Sequence, residues 1–442
     1  MRERCQGIRS LQAVARSFSG CSTGIELDLH LLAPAGLIHL ENNTSVGIVM
    51  EKSRPLIVQK YGGSSLATAD HIRRVARHVV ERKDRDCDLV VVVSAMGKTT
   101  DNLVKLGHEL NPNPDRREMD VLLSSGEQIS IAALVLAINE IGKYKAISFT
   151  GAQIGILTDS NHGNARILHI DGERIREELK KGKIAVIAGF QGVSQENDIT
   201  TLGRGGSDTT AAALAAALKA DYCEIMSDID GIYTADPQKV PNARRIDHIH
   251  YDEALEMAAG GAKILHKTSI EFAKRHKINL SLGSSSSGHI GTTVFSAPIG
   301  KGVVTGVSAD EDIAIIRFAL NENDALKIPH LFSKNKIHLK FWQCVQGLGL
   351  AGISRGDGNY ALRLIKERTT DVHLETEWAL LAIVGDGIGV GTAIAEQFFD
   401  VLHSLNIDYK AVISGELFLK VLCPQVRIKV AVEGVHQKLL TI

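Results

Sequence analysis

Leu202-Gly203-Arg204-Gly205-Gly206-Ser207-Asp208 runs straight into Thr209-Thr210 and an alanine-rich stretch, and its reading decides the fold. It lies just after the continuous apolar run at 184–190, so the chain passes from a buried strand through a glycine turn into a helix that begins near Ser207. Glycines let backbone N–H groups approach a ligand closely and adopt positive φ. The start of a helix presents unpaired N–H groups and the positive end of its dipole, which favours anions. Arg204 adds a planar fork that fits a carboxylate or a phosphate. The segment reads as a seat for something negatively charged.

Working outward, short apolar runs at 56–58, 89–93, 184–188 and 222–226 read as buried strands. Between the first two, Ile72, Val75, Ala76, Val79 and Val80 recur at helical spacing with arginines opposite. This alternation predicts an α/β domain over 51–300, a mainly parallel sheet sandwiched by helices. Beyond it the rhythm changes. Strands at 313–318, 338–342 and 348–353 with helices at 324–333 and 360–366 are followed by a second pass: strands at 380–384, 409–413 and 417–422, helices at 392–405 and near Val435. Two α+β units, 301–375 and 376–442, are expected, and paired small units suggest regulation rather than a second catalytic domain.

Residues 1–50 differ from the rest, with Arg2, Arg4, Arg9 and Arg16, scattered serines and weak periodicity. The Arg/Ser content fits a transit peptide, but Glu3 and the interrupted hydrophobic face argue against one. The expectation is an extension outside the functional fold, with Met50 a candidate start.

At 442 residues, with 44% hydrophobic and 23% charged residues, the chain has the composition of an ordinary globular protein of two or three domains. A formal net charge of −1 lacks the basic footprint of a nucleic-acid binder. No apolar run approaches the ~20 residues of a membrane helix. The six cysteines are far apart without C-x-x-C spacing, and read as thiols of a reducing, cytoplasmic compartment. The seventeen histidines show no H-E-x-x-H pattern, so no structural metal site is expected.

Three further segments carry chemistry. Lys60-Tyr61-Gly62-Gly63-Ser64-Ser65 follows the first strand and suits a phosphate: fixed charge, close N–H groups and short donors. It is not a Walker A loop, and alone it fits a glycine turn with a solvated lysine better than a phosphate site. Ser124-Ser125-Gly126-Glu127-Gln128 is read as opening a helix, where Glu127 is either a dipole partner or a carboxylate for an ammonium group. In 227–237, the carboxylates of Asp228, Asp230 and Asp236 are either turn formers or neighbours of nucleotide and magnesium.

The strings K-Y-G-G-S-S (60–65), V-V-V-S-A-M-G-K-T-T-D (91–101), S-S-G-E-Q (124–128), F-T-G-A-Q (149–153), H-G-N-A-R (162–166), A-G-F-Q-G-V (188–193), T-L-G-R-G-G-S-D-T-T-A (201–211) and D-G-I-Y-T-A-D-P (230–237) occur in the order seen in aspartate kinases. The chain resembles a monofunctional member of that family, with the amino-acid-kinase fold followed by two ACT units. The resemblance implies ATP-dependent phosphorylation of the β-carboxylate of L-aspartate to 4-phospho-L-aspartate, opening the route to lysine, threonine and methionine. It implies ATP with Mg2+ as cofactor, a lysine or threonine effector at the ACT units, and a homodimer or higher homo-oligomer.

By the same resemblance Lys60 stabilises the transferring phosphoryl group and Asp208 orients Lys60. Gly62, Gly63 and Ser64 close around the phosphates. Glu127 holds the substrate ammonium and Arg204 a substrate carboxylate, with Ser94 and Thr100 lining the pocket. Ser227, Asp228, Tyr233, Asp236 and Lys263 bind nucleotide. Lys267-Thr268 and Gly283 depart from the family pattern, as do Trp342 and Cys344 beside Gln343, and 414–416. The glycine run at 385–391 imitates a dinucleotide fingerprint, but its third glycine is misplaced and too little chain follows. The alternatives are a non-catalytic ACT-type amino-acid sensor and another amino-acid kinase of the same fold. The joint retention of Lys60, Glu127, Arg204 and Asp208 speaks against the first.

Overall fold

Runs of β-branched and apolar residues that are buried on both faces build the centre of the computed structural model, which describes residues 54–262, 265–296, 303–389 and 392–440, with the backbone of the strand pair His39–Glu41 and Ser45–Gly47. The extension expected at 1–50 lies otherwise outside the described residues.

The main sheet has eight strands in the order His248–His250, Ile290–Phe295, Leu280–Ser284, Tyr222–Ser227, Leu56–Tyr61, Asp88–Val93, Ile184–Ala188 and Ala146–Phe149. All neighbours run parallel except Leu280–Ser284 with Ile290–Phe295. Because side chains alternate across a strand, each run feeds two cores. Ile57, Val91, Val93 and Val186 pack on one face with Ile72, Val75 and Leu134. Val58, Val90, Val92 and Ile187 pack on the other with Ile175, Leu214 and Ile270. Continuous hydrophobicity is therefore what this sheet requires.

The helix Ala69–Lys83 buries the expected stripe of Ile72, Val75, Ala76, Val79 and Val80, and the Thr68 side chain caps it by accepting the His71 N–H. The helix expected to open at Ser124 instead spans Arg116–Ile141, because Asp115 caps it by accepting the N–H groups of Arg117 and Glu118. Gly126 lies inside it, where a Cβ would come 2.9 Å from that of Ala95. Contrary to the reading of the apolar runs, this helix is long and apolar enough to match a membrane span by length and composition. Its Ile131, Leu134 and Ile138 are buried against the sheet, and Asp120 and Glu127 are buried as well, while Ile129 and Leu136 are exposed.

The C-terminal part holds two four-stranded antiparallel sheets, ordered Leu339–Val345, Leu348–Ile353, Ala314–Ala319, Val372–Glu375 and Lys410–Gly415, Phe418–Pro424, Trp378–Asp386, Val303–Asp310. In both, a hairpin of consecutive strands lies on one side of a third strand and the fourth strand on its other side, but the chain does not divide sequentially at 375. Val303–Asp310, assigned by sequence to the first unit, supplies the outer strand of the second. Trp378–Asp386 is buried nearly throughout and so needs a ladder on both sides. The helix expected at 324–333 is a short turn, Glu322–Ala325, followed by Ile328–Lys334, with Pro329 in its first turn, where a missing N–H is harmless. Cys87, Cys223 and Cys423 are buried free thiols.

One polar pin joins the two central strands of the main sheet. Glu224 accepts from Arg82 Nη2 at 2.7 Å and from Gln59 Nε2 at 2.8 Å, with its side chain 5% exposed. Removing one member of such a pair strands the other without a partner, so Glu224→Ala should destabilise the protein by about 3 kcal/mol. Urea unfolding checks this, and an unchanged midpoint would show that the pair is replaceable.

Candidate active site

Open parallel sheets bind ligands beyond the carboxyl ends of their strands, where the strand order reverses. Here that point lies between Leu56–Tyr61, from which the chain next builds toward Asp88–Val93, and Tyr222–Ser227 on its other side. Lys60 is the penultimate residue of the first of these strands. Its Nζ lies 2.6 Å from Asp208 Oδ1, with the two side chains 12% and 15% exposed. Asp208 stands in the first turn of the helix Gly206–Leu218, which starts directly after Gly205 at φ 70°. A carboxylate is favoured at that end of a helix, and it in turn fixes the lysine.

Two glycine-bearing loops are laced together beside this pair. Ser65 N–H donates to Gly62 O and Gly97 N–H to Gly63 O at 2.9 Å. A Cβ on Gly63 would stand 2.6 Å from Ala95 O, so the close approach requires glycine. The lacing turns the Ala95 N–H toward Glu127 Oε1, which accepts it at 2.9 Å.

Glu127 is 2% exposed. Its Oε2 has no hydrogen-bond partner among the described residues. Burial pushes this carboxyl from 4.5 to about 7, against the opposing pull of the Ala95 N–H. It sits about three turns into its helix, so a first-turn dipole role is excluded.

Lys60, Ser94, Thr100, Glu127, Arg204 and Asp208 all line one cavity of about 800 Å³. The structure thus brings together every residue that the sequence proposed for catalysis and substrate. Arg204 is exposed at this cavity. Gly163, Phe190 and Thr201 line it too, without having been assigned a role. The only signal for them was their place in the H-G-N-A-R, A-G-F-Q-G-V and T-L-G-R strings. Phe190 adopts φ 68°, unusual for a side-chain-bearing residue, and its N–H donates to Thr210 Oγ1 at 3.1 Å.

The residues proposed for nucleotide are less unified. Tyr233 and Asp236 line a separate cavity of about 720 Å³, shared with Lys239, Ala309 and Asp310. Ser227 uses its hydroxyl in a turn, donating to Ile229 O and accepting from Ile229 N. Tyr233 donates to Asp230 Oδ1, and Asp236 Oδ1 accepts the Gln238 N–H. Asp236 thus forms a turn, one of the two roles that the sequence left open, while Asp230 is engaged by the side chains of Tyr233 and Arg245. Ser64 and Asp228 are exposed, and Lys263 lies outside the described residues. Among the described residues, no group of three or more His, Cys, Asp or Glu side chains is placed to hold a metal ion. Gly283 lies inside a strand where a Cβ would stand 2.6 Å from His289 O, which explains why no larger residue occupies it.

Comparison with known proteins gives a consistent kinship. The model of the amino acid kinase family matches residues 55–284. The aspartokinase of Corynebacterium glutamicum is 40% identical over 403 residues, covering 87% of this chain and 96% of that protein. That of Bacillus sp. strain MGA3 is 40% identical over 397 residues, covering 86% and 96%. Among solved structures, E. coli aspartokinase III in complex with aspartate and ADP, in its R-state, superposes with a TM-score of 0.76 at 25% identity, covering 87% of this chain and 99% of that one.

The buried carboxyl has a consequence for stability. Because folding raises its pKa, the folded protein holds this proton longer than the unfolded chain does as pH rises from about 4.5 to about 7, and stability is lost across that window. Glu127→Gln keeps the acceptor for Ala95 N–H and carries no charge. It should match the parent at about pH 4 and exceed it by about 3 kcal/mol at about pH 8. Thermal unfolding at both pH values checks this, and equal stabilities at pH 8 would contradict it.

Proposed function

The chain belongs to the amino acid kinase family and, within it, to the aspartokinases, and on that premise we propose that its larger cavity binds L-aspartate beside the γ-phosphoryl group of ATP and makes 4-phospho-L-aspartate, the entry to lysine, threonine and methionine synthesis. The observation that carries the reading is the convergence of Lys60, Glu127, Arg204 and Asp208 on one cavity.

Aspartate carries one ammonium and two carboxylates. Glu127 Oε2, buried and without a partner, takes the ammonium. Arg204 takes the α-carboxylate as a fork, and Ser94 and Thr100 offer hydroxyls at the pocket wall. The β-carboxylate is left to face Lys60. One of its oxygens attacks the γ-phosphorus in line, a new P–O bond forms, the bond to the β,γ-bridging oxygen breaks, and ADP leaves with the electron pair. The nucleophile is already ionised at neutral pH, so no general base is needed.

The barrier is mainly the repulsion of two anions and the charge spread over the phosphoryl oxygens. Lys60 supplies a fixed positive charge there, held by Asp208 at 2.6 Å so that little reorganisation accompanies reaction. Gly62, Gly63 and Ser64, with the first N–H groups of the helix Gly206–Leu218, surround the phosphates. Ser227, Asp228, Tyr233, Asp236 and Lys263 take the rest of the nucleotide. Mg2+ arrives with ATP. Such a small hard ion keeps several waters and phosphate oxygens, so it needs one or two carboxylates rather than a protein cage.

The C-terminal sheets supply the regulatory reading. Thr234, inside the nucleotide segment, is held from both directions: its O accepts the Val307 N–H at 2.7 Å, and its Oγ1 is hydrogen-bonded to His436 Nε2 at 2.8 Å. An effector that shifts Val303–Asp310 or Ile428–Leu440 thereby moves the segment that carries Tyr233 and Asp236. Lysine or threonine is the proposed effector, and a homodimer or higher homo-oligomer the proposed assembly.

Aspartate-dependent ADP release tests the assignment. Lys60→Ala should lower kcat by about 10²–10³-fold or more with folding intact. Arg204→Ala should raise KM for aspartate at least about tenfold and leave KM for ATP nearly unchanged. Lysine or threonine, singly or together, should inhibit. Faster phosphorylation of glutamate than of aspartate would overturn the substrate, and indifference to both amino acids the effector.

A further inference from the structure

Asp120 is a buried carboxylate that the reaction does not use. It lies on the same helix as Glu127 and is 0% exposed. Among the described residues no lysine or arginine pairs with it. It instead gathers donors from two distant segments. His162 Nδ1 lies 2.8 Å from Oδ2, and the Gly163 N–H donates to both oxygens at 3.1 Å. The Thr201 hydroxyl donates to Oδ1 at 2.5 Å. Burying a carboxylate is expensive unless it is hydrogen-bonded this fully, so its place is fixed by these partners and theirs by it.

Those partners lead to the substrate cavity. Gly163 and Thr201 line it directly. Thr201 O also accepts the Ala165 N–H at 2.8 Å, closing the loop around 162–165 onto the strand Ile199–Thr201. The loop then abuts the glycine turn: a Cβ on Gly203 would stand 2.9 Å from Asn164 Oδ1 and 3.3 Å from Gly163 O. Gly203 precedes Arg204. Asp120 lies seven residues before Glu127, two helical turns away on the same face, so one rigid helix sets the position of both groups.

Resting on the reading of the cavity as an aspartate site, we propose that Asp120 is a positioning residue for that substrate: through His162, Gly163 and Thr201 it holds the Gly203-Arg204 turn at the reach from Glu127 that one aspartate spans. It touches no reacting atom. A displacement of about 1 Å in such a support is enough to weaken catalysis strongly.

Asp120→Asn replaces one acceptor oxygen by an NH2 group facing donors, which displaces the loop and keeps the shape of the side chain. KM for aspartate should rise about tenfold or more while KM for ATP stays within about twofold, a split that general loss of structure does not produce. Thr201→Val removes one donor without changing volume and should raise KM for aspartate several-fold, with Thr201→Ser recovering most of the loss. This pair decides the matter if Asp120→Asn does not fold. An unchanged KM for aspartate, or equal rises in both KM values, overturns the proposal. Absence of aspartate kinase activity in the unaltered protein would instead overturn the reading on which it rests.

Discussion

The ion pair between Lys60 and Asp208 is the constraint around which the catalytic half is arranged. It ties the end of the central strand Leu56–Tyr61 to the start of the helix Gly206–Leu218, two elements about 150 residues apart in sequence. A lysine at a strand end is ordinarily solvated and mobile. Here a carboxylate at the favoured end of a helix holds it, and the glycine turn before that helix leaves room for an anion beside it. The laced loops at Gly63 and Ala95 and the cavity wall at Arg204 are built outward from that junction.

The second organising feature works against stability. Glu127 is sealed in the protein with one oxygen unpartnered and its pKa raised to about 7 by burial. A residue chosen for folding alone would be neutral there. An unsatisfied buried carboxylate is a recognised mark of a site prepared for a cationic group that arrives later. The ammonium of an amino acid supplies that charge, and Arg204 on the same cavity answers the opposite end of the molecule.

Much of this was legible because the chain states it locally. Residues 56–58, 89–93 and 184–188 are apolar throughout, as strands covered on both faces must be, and Ile72 to Val80 repeat at helical spacing. Of the six cavity residues, Lys60, Glu127 and Arg204 stood out because they lie near a strand end or beside glycines, whereas Ser94, Thr100 and the role of Asp208 came only from the resemblance to aspartate kinases. What was not legible is non-local. Nothing in 303–310 says that it pairs with Trp378–Asp386 rather than with its sequence neighbours. The start of the long helix was displaced because the string around Gly126 looks like a turn, while the cap lies at Asp115. Asp120 carries no motif of its own, and its role emerges only when 162–163 and Thr201 fold onto it.

Recognition of the substrate ammonium should carry Glu127 from a partly neutral to an ionised state. Calorimetric titration of the full chain with L-aspartate at pH 7, in buffers of different ionisation enthalpy, measures the protons exchanged on binding. With Glu127 near pKa 7 before binding and ionised after it, about half a proton should be released, and the release should vanish in Glu127→Gln. Binding of L-aspartate with no proton released, or with the same release in both proteins, would contradict the account.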